Sequence, residues 1–165
     1  MNIGATIIVG VVLVISAKTV TAESCGHNLI KEPKCLKREQ VEKKNLDLVL
    51  KFYNEAFGQH DISAVDRYIS PDYIQHNPQA PDGPQGLKDF LVPFNANKKK
   101  GPVDIRHVAV RGDIVWLHVK TTGFKGEPWG LVDIFRVEDD KIVEHWDVIQ
   151  EIPPISESKN SHPMF

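Results

Sequence analysis

Apolar positions recur with two periods along this chain, and the change of period divides it. From Leu36 to Phe57, the residues Val41, Asn45, Leu48, Val49, Phe52, Ala56 and Phe57 follow three- and four-residue spacing. Lys37, Arg38, Lys43, Lys44 and Lys51 occupy the other faces, the pattern of an amphipathic helix with one covered stripe. Gly58 is a suitable terminator. Asp61 or Ser63 caps a second, short helix holding Ile62, Val65, Tyr68 and Ile69, and Ser70-Pro71 ends it. Tyr73–Pro78 is a short element running into a turn, and Gln79–Gly86 is a loop by composition. A third helix, roughly Pro84–Asn97, buries Leu87, Phe90, Leu91 and Phe94, with Pro93 as a kink or early stop.

Beyond Gly101 the period falls to two. Val103–Arg111, Ile114–Phe124, Pro128–Val137 and Lys141–Gln150 read as strands, joined at Arg111-Gly112-Asp113 and Glu138-Asp139-Asp140 by turns short enough for hairpins. Helices followed by consecutive hairpins predict an α+β fold, with helices packed on one face of an antiparallel sheet. Ser156–Phe165 is polar and reads as a loose tail.

Two aspartates break the strand pattern. Asp133 sits among Leu131, Val132, Ile134, Phe135 and Val137, while His145 and Asp147 share alternation parity with Val143 and Ile149. Strand side chains alternate between faces, so the second set is expected on the covered side. A carboxylate there is costly unless hydrogen-bonded, paired or protonated. It is either a satisfied structural group or the working part of a pocket.

The 165 residues suffice for one domain with a hydrophobic core. A net charge of −2 and a pI near 6.4 give no basic excess for nucleic acid, and Lys98–Lys100 is too short for a phosphate track. Ile3–Ile15 is apolar apart from Gly and Thr, and Val20-Thr21-Ala22 offers a cleavage site, so residues 1–22 read as a signal peptide, with an uncleaved anchor as the alternative. A secreted or lumenal protein is expected, without stable membrane association once cleaved. Cys25 and Cys35 are the only cysteines, and an oxidising compartment permits a disulfide between them in the segment 23–35. No nucleophile elbow or catalytic cysteine is evident, and the histidine spacings match no metal motif.

Three segments together resemble the SnoaL-like branch of the nuclear transport factor 2-like superfamily. They are Phe52–Phe57, Tyr73–Pro78 followed by Asp82-Gly83 and Gly86, and the hairpin from Asp133–Val137 through Ile142–Asp147. The domain so identified spans residues 36–155. The resemblance implies a cone-like fold in which a curved antiparallel sheet wraps around N-terminal helices and encloses a pocket. It also implies acid/base chemistry without metal or organic cofactor, with Asp147 at the position of the polyketide cyclase acid/base. Asp133 stands where the cyclases carry a pocket histidine, a departure that weakens transfer of the cyclase reaction itself.

The resulting candidates are Asp147, His76 and Asp133 as catalytic groups and Tyr73, Asn77, Trp116, His118 and His145 as ligand contacts. Phe52, Tyr53, Phe57, Phe90, Phe94 and Trp129 are mostly packing residues, some of which suit a hydrophobic ligand. Trp146, opposite in parity to Asp147, is placed for a homodimer interface. The expected activity is an aldol- or isomerase-type reaction on a small carbonyl compound. Binding a small hydrophobic molecule without chemistry, or a structural homodimer, are the alternatives.

Overall fold

The structure is a computed structural model and describes residues 33–165. The expected signal peptide and Cys25, and with it the Cys25–Cys35 pairing, lie outside the described residues. Helix α1 (Pro33–Tyr53) runs into a π-helical turn at Asn54–Gly58. Then come α2 (Ala64–Tyr68), β1 (Ile69–Gln75), α3 (Gly83–Asn95), β2 (Asp104–Arg111), β3 (Ile114–Thr122), β4 (Pro128–Glu138) and β5 (Lys141–Glu151). Among the described residues, no helix is long and apolar enough to cross a membrane.

The strands form one curved sheet in the order β1-β5-β4-β3-β2. Three pairings are antiparallel, as hairpin lengths require. In the β4–β5 turn, Asp139 and Asp140 have φ of 47° and 60°, the left-handed pair that a two-residue hairpin of matching twist needs. The unexpected member is β1. Its residues read as a helix end at Ile69–Pro71 and a short element from Tyr73 running into a turn, yet together they lie along the sheet edge, parallel to β5. Its pairing is interrupted between Ile69 and Ile74, where Pro71 has no N–H to give, as suits an edge strand.

The inner face of the sheet meets a core of Val49 and Phe52 from α1, Ala56 from the π-helical turn, Leu91 from α3, and Val115, Leu117 and Val119 from β3. Each of these is at most 1% exposed. Phe52 meets Phe57, Tyr68 and Phe135 edge-on, which ties α1 to α2 and β4. Register across the strands then defines two rows. Val108, Leu117, Asp133 and Asp147 are cross-strand partners on the inner face, and Ala109, Trp116, Ile134 and Trp146 are partners on the outer face.

One irregularity decides what β5 presents inward. Arg136 pairs with Glu144 but Val137 with Ile142, so Val143 is an extra residue in a β-bulge. Alternation through Val143 predicts that Val143 points inward with His145. Instead Ile142, fully buried, takes the core position, and His145 and Asp147 keep theirs beyond the bulge. In the tail, Phe165 stacks on His118 with ring centroids 4.5 Å apart.

Candidate functional site

Asp133, on β4, is 4% exposed. A carboxylate so deep must be satisfied, and two elements satisfy it. Tyr53, at the end of α1, donates its hydroxyl to Oδ2 at 2.9 Å. His145, on β5, meets Oδ1 through Nε2 at 3.1 Å. Asp147 projects from the adjacent inner position, and donor atoms of Asp133, His145 and Asp147 all lie within 4.8 Å of one another.

Gln75, at the end of β1, organises the protons. Its Nε2 donates to the Tyr73 hydroxyl at 3.0 Å, and its Oε1 accepts the Asn77 backbone N–H at 2.9 Å. The amide orientation is therefore set, and the His145 Nδ1, 2.9 Å from the same Oε1, is the donor. With Nδ1 protonated, a single proton is shared along the line from Nε2 to Asp133. This is either an imidazolium facing a carboxylate or a neutral pair.

Asn77 is buried and donates its amide to Asp147 Oδ2 at 2.6 Å, while its own Oδ1 accepts from the Gln79 N–H at 2.7 Å. The other Asp147 oxygen has no protein partner among the described residues. Burial holds the Asp147 carboxyl above its ordinary range; the Asn77 bond and the His145 charge oppose this, and the Asp133 charge adds to it. Tyr73 is 2% exposed, and its hydroxyl is pushed up by burial and then by the charges of Asp133 and Asp147. It accepts from Gln75, so its own hydrogen remains available to an incoming oxygen. A carboxylate with one unengaged oxygen and a phenol with an unengaged hydrogen can act as base and oxyanion donor.

Of the residues expected at this site, the structure brings together Asp147, Asp133, Tyr73, Asn77 and His145. His76, Trp116 and His118 lie elsewhere. β1 ends at Gln75, and the His76 side chain turns to the outer face, where its ring lies on Trp146 at 4.7 Å and Nε2 meets Glu144 at 2.8 Å. Trp116 and His118 alternate with the buried Leu117 and so face outward, where His118 meets His107 Nδ1-to-Nδ1 at 3.0 Å. His76 and His118 therefore cannot converge with His145 and Asp147 on a metal. Asp133, His145 and Asp147 are the group that could hold one among the described residues. Their mutual hydrogen bond would first have to break. Tyr53 and Gln75 are hydrogen-bonded members of the cluster with no sequence signal beyond ordinary helix packing and a turn-prone stretch. A cavity of about 440 Å³ touches this cluster only through Tyr53; none of the three acid/base groups lines it.

A family model for the SnoaL-like domain matches residues 49–145, which includes Tyr53, Asp133 and His145. The chain belongs to the SnoaL-like family. Among solved structures, this SnoaL-like chain is similar to a protein from Jannaschia sp. CCS1 assigned as a SnoaL-like polyketide cyclase. That match has 22% identity and a TM-score of 0.56, covering 66% of this chain and 87% of that one. A protein from Bacillus cereus ATCC 10987 assigned as a polyketide cyclase matches at 22% identity and TM-score 0.55, covering 64% and 74%. TsrD from Streptomyces laurentii matches at 20% identity and TM-score 0.54, covering 64% and 87%. At these identities the likeness establishes the fold. No curated protein sequence matches the chain.

Proposed function

We propose that this SnoaL-like protein performs cofactor-free acid/base chemistry on a small hydrophobic carbonyl compound. The observation that carries the reading is the convergence of Asp133, His145 and Asp147 within 4.8 Å on the inner face of the sheet. The unengaged Asp147 oxygen removes a proton from the carbon next to the carbonyl. Negative charge moves to the carbonyl oxygen, where the Tyr73 hydroxyl stabilises it. Asp147 then returns the proton to carbon or to a new hydroxyl, which gives isomerisation or aldol closure. The imidazole of His145 stands beside both Asp133 and Asp147. At an effective dielectric constant of about 20, two bare carboxylates at that spacing repel by about 3–4 kcal/mol, so the imidazole between them matters.

The test is exchange of α-protons in deuterated water, followed by NMR for a panel of cyclic ketones. Asp147→Asn should lower exchange by about 10²-fold or more while keeping fold and affinity. Unchanged exchange rejects the assignment.

Binding without turnover is favoured by a different observation: Tyr53, Gln75, Asn77 and His145 satisfy most of the cluster's polar atoms internally, as structural networks do. On that reading a ligand is recovered unchanged, with equal affinity in wild type and Asp147→Asn. Homodimerisation through the outer face, where Val132 and Val148 are 36% and 64% exposed beside Trp116 and Trp146, belongs to the same proposal. So do secretion and the Cys25–Cys35 disulfide, which rest on residues 1–35 of the sequence.

A further inference from the structure

The cavity beside Tyr53 is built differently from the acid/base cluster. Its walls include Tyr53, Phe57 and Phe94, with Asn95, Lys98 and Thr121 as polar members. Asn95 is 5% exposed, and its Nδ2 is committed to the Ala56 carbonyl at 2.9 Å. That bond orients the amide and leaves Oδ1 buried without a hydrogen-bond partner. The Lys98 Nζ is likewise buried and unpartnered, lying 2.9 Å from the centroid of the Phe94 ring. The loop carrying it is pinned to the end of the π-helical turn, because the Gly101 N–H donates to the Gly58 carbonyl at 2.9 Å. Two residues lining one aromatic-walled cavity thus each carry a buried polar atom without a hydrogen-bond partner, which is unusual, since such groups are nearly always paired. Both would be satisfied by a ligand that offers a hydrogen-bond donor to Asn95 and an electrophile to Lys98.

We propose that Lys98 reversibly captures an aromatic aldehyde in this cavity as an imine, with Asn95 selecting rings that carry a hydroxyl. The Lys98 side chain rotates off the Phe94 face, and the Nζ lone pair attacks the carbonyl carbon. The C–N bond forms as the carbonyl π pair moves to oxygen, and a proton passes from nitrogen to that oxygen. The resulting carbinolamine loses the hydroxyl as water, taking the second proton from nitrogen as C=N forms. Nothing is oxidised or reduced, and hydrolysis reverses the step.

Burial holds the Lys98 amine down at about 7, with the Glu127 charge opposing. About half of it is then a free nucleophile at neutral pH, against roughly one in three thousand for an ordinary lysine. The other charged groups around it are Lys99 and Lys100 in its own loop, His60 after the π-helical turn, Asp104 of β2, Lys120 of β3 and Lys125 between β3 and β4. This inference does not rest on the acid/base reading, because Asp147→Asn leaves Lys98 and its cavity intact.

The experiment incubates the full-length protein with 4-hydroxybenzaldehyde or benzaldehyde, traps with borohydride, and reads labelling by intact mass and peptide mapping. Lys98 should be labelled at least tenfold faster than Lys99 or Lys100, with a half-maximal rate near pH 7. The hydroxylated probe should react several-fold faster than benzaldehyde, and Asn95→Ala should abolish that preference. Lys98→Met, which keeps the apolar stem without the amine, should remove the adduct while the circular dichroism remains that of the wild type. Lys99→Arg should change nothing, and it controls for variants that fail to fold. Labelling spread evenly over surface lysines would overturn the proposal. So would binding of 4-hydroxybenzoate that strengthens as Lys98 protonates, with no trapped adduct, since that describes an anion site.

Discussion

Replacing Tyr53 with Phe isolates the bond that ties α1 to the polar cluster. The ring is 3% exposed and stacks on Phe57 at 4.4 Å, with Phe135 edge-on at 6.3 Å. Phe preserves all of that packing and removes one oxygen, so no sizeable cavity opens. What is lost is the 2.9 Å donation to Asp133 Oδ2. A hydrogen bond to an ionised group contributes about 1.5–3 kcal/mol, against about 0.5–1.5 kcal/mol for a neutral pair. Tyr53→Phe should therefore cost about 2 kcal/mol near neutral pH, or roughly 5–12 °C in Tm for a domain of this size. In an Asp133→Asn background the acceptor is uncharged, and the same substitution should cost only about 1 kcal/mol. Urea denaturation of the four proteins of this cycle supplies the comparison, with m-values checked for constancy. A cost under about 0.5 kcal/mol in the wild type would refute the assignment of this bond as a main support of Asp133. Equal costs in both backgrounds would refute an ionised Asp133 and favour the neutral form of its pair with His145.

Three further outcomes test other parts of the molecule. Because burial raises the folded-state value of the Asp147 carboxyl, its ionisation costs stability as pH rises from the unfolded carboxylate range through that raised value. Asp147→Asn should thus be more stable than wild type at pH 7, with the gain vanishing below about pH 4 in denaturant titrations. A gain that grew on acidification would reverse the sign of the argument. A Cβ on Gly58 would meet the Gly101 carbonyl oxygen at 2.7 Å, a backbone atom that cannot swing aside. Gly58→Ala should cost about 1–3 kcal/mol by the same denaturation assay. Finally, on the proposed dimer, Val148→Arg on the outer face should give monomer in sedimentation with the circular dichroism of the wild type; a dimer that persists removes that face from consideration.

The fold was largely legible because periodicity reports burial directly. The long helix and the four hairpin strands fall within a few residues of their predicted limits. β1 escaped because it offers no alternation: Pro71 and Asp72 interrupt it, and it pairs with β5 only at its ends. That omission also misdirected His76. A residue just past an unrecognised edge strand had no predictable face, and its ring settled on Trp146. Asp133 and Asp147 were visible as charges in apolar strands, whereas Tyr53 was indistinguishable from a packing aromatic. Its partner is 80 residues away, beyond any local pattern. For β3 the parity was clear but its direction was not. The aliphatic set Val115, Leu117 and Val119 takes the core, and this sends Trp116 and His118 outward.

The bulge at Val143 explains why a correct placement of Asp147 could follow from partly incorrect premises. Simple alternation makes Val143 a witness that His145 and Asp147 face inward, yet Val143 is the residue that leaves the pattern. A shift of one residue exchanges the two faces of a strand. Without the bulge, a strand that placed the fully buried Ile142 in the core would send His145 and Asp147 outward, and Glu144 and Trp146 inward. The extra residue allows one strand to satisfy two demands: Ile142 packs opposite Val137 at the hairpin end, while Asp147 still lies opposite Asp133 farther along. Bulges of this kind re-aim side chains next to active sites. The consequence of the bulge is chemical: it sets His145 and Asp147 against Asp133, and that polar cluster distinguishes this inner face from an ordinary apolar core.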